Sequence, residues 1–310
     1  MNFTSAPHQE NSPYFQLLII GGYALLGLIL GSCLSIGLLM SMYGFNFFEN
    51  VPAMSGADPA FSAGLKIAQL LTTVFTFIAP PLLLSATEKR SVTSLYQFKR
   101  PRPALLLLVL LLMAGSLPLV EWLALTNQKM ALPELLRPVE QWMKEKEEEA
   151  MKMTLLLLRI NSVWDFLLDL FIIALLPGIA EELLFRGAVQ RAFYRMYSNP
   201  HMAIWLSAFI FSAIHLQFYG FVPRLFLGAM FGYIYLWTGS LWYAMFAHFL
   251  NNGYAVCQAW YLQAHHLPLE NADNSLNFPW YGYLISLILT IFLLIYLKKT
   301  TAAKHGEQLD

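Results

Sequence analysis

Long apolar runs, each near the length needed to cross a bilayer, alternate with short polar segments from one end of the chain to the other. About 20 predominantly apolar residues span roughly 30 Å of hydrocarbon. That length recurs at Phe15 to Tyr43, Ile67 to Ser85, Ala104 to Leu125, Val163 to Ala180, Met202 to Phe218, Val222 to Trp237, Leu241 to Leu262 and Trp280 to Leu297. The pattern predicts an all-α polytopic membrane protein with about eight transmembrane helices, the middle four short, closely spaced or dotted with polar residues. The first run contains no charge and follows no basic segment. It is too long for a cleaved signal peptide and is expected to stay in the mature protein. Gly27-x-x-x-Gly31 and Gly228-x-x-x-Gly232 set glycines on one helix face, where backbones can approach closely, although chance also produces that spacing.

Composition agrees with this pattern. Of the 310 residues 57% are hydrophobic and 12% charged, against about 25% charged in a soluble domain, which excludes an ordinary soluble enzyme. The 19 Lys and Arg cancel the 19 Asp and Glu, so net charge points to no nucleic-acid partner. Cys33 and Cys257 both sit in apolar runs and offer neither a disulfide framework nor a cysteine zinc site.

Placement of charge is more informative. Lys89, Arg90, Lys99, Arg100 and Arg102 lie between the second and third runs, and Lys298, Lys299 and Lys304 in the tail, whereas 44–60 and 263–279 hold no Lys or Arg. By the positive-inside rule the basic segments, and with them Arg186, Arg191 and Arg195, are expected on the cytoplasmic side together with both termini. The connection 126–162 would then lie outside, with six basic and six acidic residues. Within it Leu135 to Met153 reads as a solvated or interfacial helix of mixed charge.

Ionisable residues at membrane depth are expensive and need a partner or a wet cavity. They concentrate in one third of the chain: Asp165, Asp169, Glu181, Glu182, Arg186, His215, Arg224 and His248, with Asn251 and Asn252 just beyond. Asp165 and Asp169 fall near the expected outer end of their span and read as interfacial. On a helix Glu182 and Arg186 are i,i+4 neighbours and can pair, while Glu181 points about 100° away without such a local partner. An unpaired carboxylate in a desolvated place suits a general base; a plain ion pair pinning two helices is the structural alternative. His248 and Asn252 share a helix face. His8, His201, His265, His266 and His305 fall in expected loops, ends or tails. A carboxylate pair with an arginine, a lone histidine, and a histidine with asparagine one turn later supply a base, polarising donors and a site for a water or a metal, an inventory suited to amide hydrolysis.

Glu181-Glu182-x-x-x-Arg186, Phe211-x-x-x-His215 and His248-x-x-x-Asn252, in that order on successive spans, resemble the CPBP intramembrane proteases, the group of CAAX prenyl endopeptidases and Abi-type bacteriocin-processing or immunity proteins. The resemblance covers roughly 160–262. It implies a catalytic core at 160–262 between N-terminal membrane helices with a charged connecting helix (1–159) and a last helix with a cytoplasmic tail (263–310). It further implies that Glu181 and His215 activate a water, that His248 and Asn252 stabilise the oxyanion, and that Glu182 with Arg186 orients Glu181. Glu181, His215 and His248 would equally suit zinc or another divalent metal, the metalloendopeptidase variant of the same reaction. The implied substrate is a membrane-associated peptide or protein, and the implied setting a bacterial cytoplasmic membrane. A non-proteolytic scaffold or immunity protein of the same architecture, and a cation or proton-coupled transporter using the acidic residues as a relay, are the competing readings; the absence of an obvious internal repeat weighs against the transporter.

Overall fold

The computed structural model describes residues 10–45, 59–267, 269 and 278–302. Most of loops 44–60 and 270–277, the end of the tail with Lys304 and His305, and His8 lie outside the described residues. Within them the secondary structure is helical, without a strand. The long helices are α1 (Pro13–Tyr43) and α2 (Pro59–Thr73, running through a π turn at Val74–Ile78 into Ala79–Thr87). After the short α3 (Val92–Leu95) come α4 (Pro103–Gln128), the charged α5 (Arg137–Leu157) and the continuous α6 (Val163–Tyr197). The chain closes with α7 (Pro200–Ala213), α8 (Phe221–Thr238), α9 (Leu241–Ala264) and α10 (Trp280–Ala302).

Five stretches, α1, α2 from Phe61, α4, α6 and α10 to Thr301, are long and apolar enough to cross a bilayer. The molecule is thus a polytopic helical membrane protein; among the described residues five helices meet the length and apolarity needed, and the expected count of eight is not confirmed. α7 is apolar but stops at Ala213. The other two, α8 and α9, sit centrally and carry His248, Asn252, Tyr235 and Thr238 toward protein partners instead of lipid. Outer faces look the opposite way: Leu18, Leu25 and Ile29 of α1 and Ile285, Ile288 and Phe292 of α10 are exposed apolar side chains, the lipid-facing surface of such a fold.

Both glycine pairs mark close approaches. A methyl group on Gly27 would overlap the carbonyl oxygen of Phe75 in the π turn of α2, and one on Gly31 would press on Thr72 Cα at 3.1 Å. Gly228 and Gly232 let α8 lie against Ala208, Phe211 and Ile204 of α7. At Pro118, Ser286 of α10 steps into the α4 ladder, accepting from Leu119 N at 3.1 Å and donating to the Gly115 carbonyl at 2.6 Å, which repairs backbone bonding near the proline.

α5 is an exposed charged helix, as its pattern suggests, with Met143 its one buried side chain. Its inner face covers the turn after His215: Trp142 stacks near Phe218 at 5.2 Å, and Glu147 accepts from Tyr219 N at 3.3 Å. Asp169 corrects an expectation. It is fully buried, not interfacial, and pairs at 2.5 Å with Lys66 of α2, itself buried. Asp165 is half-buried at the start of α6, where it accepts from Asn161 N.

Candidate active site

The expected span Val163 to Ala180 does not end at the charged residues; α6 runs on to Tyr197 and holds Glu181, Glu182 and Arg186 in mid-helix. Two π stretches, Leu170–Leu175 and Leu183–Gln190, flank the two glutamates, a distortion that re-aims side chains and recurs at functional sites. Pro177 lacks an N–H for the preceding turn. The carbonyl of Ile173, one of those it leaves short, accepts from Asn252 Nδ2 at 3.1 Å. One residue on, Gly178 presses against the α9 backbone, where a methyl group would meet Phe249 N at 3.1 Å and Met245 O at 3.2 Å. That approach brings His248 to the glutamates.

Glu182 is the hub. Its Oε1 accepts from Arg186 Nη1 at 2.6 Å and from His248 Nδ1 at 2.8 Å, all three side chains being buried. Arg186 also donates from Nη2 to the Gly228 carbonyl at 2.8 Å, and Gln190, one turn on, donates to the Gly232 carbonyl at 3.3 Å. Side chains at i and i+4 of α6 therefore meet carbonyls at i and i+4 of α8, which bare glycine backbone leaves open. Two phenylalanines complete the enclosure. The guanidinium of Arg186 lies 4.7 Å from the Phe211 ring centroid and 5.4 Å from that of Phe231, a cation–π arrangement strengthened by burial. The His248 ring stacks on Phe231 at 5.2 Å and meets Phe211 edge-on at 5.9 Å.

Glu181 stands apart from this hub. Its Oε2 lies 3.9 Å from His248 Nε2, and its side chain is 14% exposed, against 0% for Glu182. With Nδ1 on Glu182, His248 turns Nε2 toward Glu181, and 3.9 Å is too long for a direct hydrogen bond. His215 is prepared in the same sense: Nδ1 donates to the Phe211 carbonyl at 2.8 Å, leaving Nε2 free to accept. Glu181, Arg224 and His248 are the charged or titratable groups that act on it. Among the described residues no three His, Cys, Asp or Glu side chains are arranged to hold one cation. As placed, Glu181, His215 and His248 do not form the three-ligand site that a bound metal would require.

Of the sequence-derived residues, Glu181, Glu182, Arg186 and His248 meet between α6 and α9, His215 stands at the end of α7 against Phe211, and Asn252 is turned to the α6 backbone. The Glu182–Arg186 pair is present as expected. Three features were not anticipated: Glu182 holding His248, the aromatic walls Phe211 and Phe231, and Asn252 engaged on the α6 backbone, its Oδ1 accepting from Asn251 at 3.2 Å. Only the Phe211 spacing gave any hint of them.

A polytopic helical membrane protein with a buried glutamate–arginine–histidine cluster is the class that fold and site define. Residues 163–254, which hold the whole cluster, match the Rce1-like family, described as type II CAAX prenyl endopeptidase, so over this segment the CAAX-protease resemblance is borne out. A protein of Bacillus subtilis (strain 168) described as "Uncharacterized protein YpbD" is 32% identical over 90 residues, 28% of this chain and 43% of that protein. The match thus spans less than half of that relative's length. No solved structure matches.

Proposed function

We propose that the protein is an intramembrane endopeptidase that hydrolyses a peptide bond of a membrane-associated peptide or protein with a water activated by Glu181. One observation carries the reading: of the two adjacent glutamates, Glu182 is bonded to Arg186 and His248, whereas Glu181 is partly exposed and its carboxylate stands 3.9 Å from His248 Nε2, too far for a direct hydrogen bond. In this reaction Glu181 takes a proton from the water while His215 Nε2 accepts the other and fixes its orientation. The resulting hydroxide adds to the scissile carbonyl carbon. Glu181 then returns the proton to the departing amide nitrogen as the C–N bond breaks, giving one carboxylate and one amine.

His248 can serve the oxyanion when Nε2 carries a proton as well as Nδ1. Preorganised donors in such a dry site supply about 3 to 4 kcal/mol of transition-state stabilisation. Asn252 supports α6 at Pro177 and keeps one amide hydrogen to share with the oxyanion. The basic end of the bundle is proposed to face the cytoplasm of a bacterial cell.

The test uses purified protein in detergent with quenched fluorescent peptides, prenylated and unprenylated. Glu181→Gln is expected to lower the rate by roughly 100- to 10,000-fold, the usual contribution of a general base, while keeping the wild-type unfolding temperature. Equal rates for the two proteins would sink the proposal.

A further inference from the structure

At the basic end of the bundle, away from His215, a cavity of about 400 Å³ opens among Arg90, Gln97, Gln190, Arg191 and Arg195, with Glu10 inside it. Three guanidiniums converge there on one carboxylate. Glu10 bonds Arg90, takes two hydrogen bonds of 2.7 Å from Arg191, and lies 3.1 Å from Arg195. Burial pushes this carboxyl up, but the hydrogen bonds and charges of Arg191, Arg90 and Arg195 outweigh it and hold it below the ordinary carboxylate range. The nearby Glu88 is buried and occupied by Asn11, which donates to it from both N and Nδ2. The three arginines therefore exceed the acidic charge facing them.

A second, independent feature points to a ligand. Gln190 and Gln97, both lining the cavity, each bury a side-chain carbonyl oxygen with no hydrogen-bond partner among the described residues. Gln190 is 6% exposed, and its Nε2 is held by the Gly232 carbonyl. Buried acceptors left open ask for a donor. Guanidiniums suit a phosphate, and the two unpartnered carbonyls, covered as they stand, suit hydroxyl groups beside it once the amides turn into the cavity. The cavity lies where basic loop residues gather, the level at which lipid headgroups meet a membrane protein.

We propose that this cavity binds a phosphate ester bearing free hydroxyls, as in the headgroup of phosphatidylglycerol, with Glu10 as the internal anion that the phosphate displaces. The phosphate takes the place of the Glu10 carboxylate on Arg90, Arg191 and Arg195, and the hydroxyls donate to Gln97 and Gln190. Since Gln190 sits one helical turn from Arg186, occupancy is felt next to the glutamate–histidine cluster.

Thermal unfolding of the full chain in a neutral detergent, titrated with short-chain phosphatidylglycerol, phosphatidylcholine or inorganic phosphate, tests this. Phosphatidylglycerol is expected to raise the unfolding temperature and phosphatidylcholine to leave it unchanged. Arg90→Gln and Arg195→Gln should each weaken the titration roughly fivefold, and Glu10→Gln, which removes the competing anion, should strengthen it. A response to phosphatidylglycerol alone identifies a lipid as the source, and a response to inorganic phosphate as well identifies a free anion site. The Arg90 side chain is partly exposed and, among the described residues, bonds Glu10 and Ser94, so its variant is expected to fold even where Arg195→Gln does not. Equal stabilisation by both lipids, or an undiminished phosphatidylglycerol response in Arg90→Gln, overturns the proposal.

Discussion

Replacing Glu182 by Gln tests whether the hub holds the site together. The change keeps the shape of the side chain but removes the charge that Arg186 and His248 share. Arg186 is 1% exposed and sits between two aromatic rings, so water cannot replace what it loses. Stranding one member of a buried pair costs about 3 to 5 kcal/mol. Glu181→Gln breaks no guanidinium contact and is expected to change stability by less than about 1 kcal/mol. Unfolding in detergent followed by near-ultraviolet circular dichroism reads both. Glu182→Gln with Arg186→Met, which removes both charges, should be less destabilised than the sum of the two single changes. Single losses below about 1 kcal/mol, or additive behaviour in the double variant, would refute this account of the hub.

Other expectations follow from the same contacts. Asn252→Ala should cost about 1 to 3 kcal/mol by leaving the Ile173 carbonyl unpaired beside Pro177, read from the same unfolding curves. Gly27→Ala should destabilise by about 1 to 3 kcal/mol because α1 must move off α2, whereas Gly37→Ala, with open space around it, should stabilise by up to about 1 kcal/mol; comparing the two melts separates packing from helix propensity. Addition of a zinc chelator should leave peptide cleavage intact, since no step requires a cation; loss of cleavage restored by zinc would contradict the mechanism. Glu10 is held below its reference value of 4.5, so its contribution is fully present above that value and is lost as pH falls through the lower folded value. Glu10→Gln should therefore flatten the acid limb of stability against pH, measured by unfolding temperature.

Local periodicity made much of this visible in advance. Apolar run length marks α1, α2, α4 and α10, and the i,i+4 spacing marks the Glu182–Arg186 pair, because both depend on geometry within one helix. What was illegible lies between helices. Nothing near Glu182 in the chain announces His248, 66 residues on, and nothing near Asp169 announces Lys66. The charges at 181, 182 and 186 look like the end of a span, yet α6 continues through them because His248 of α9 and the Gly228 carbonyl of α8 absorb Glu182 and Arg186. Similarly, Asn252 reads as a donor for the reaction, but a proline 75 positions earlier gives it a backbone carbonyl to satisfy.

Glu181 as the base that activates water is tested most directly by cleaving a membrane-anchored peptide in water half enriched in oxygen-18, with wild type and Glu181→Gln side by side, and weighing the products. Wild type should give one new carboxyl group with a single oxygen drawn from solvent, and the folded Glu181→Gln protein should give at most about a hundredth as much product in the same time. Cleavage by Glu181→Gln at the wild-type rate, with the same label, would contradict the mechanism.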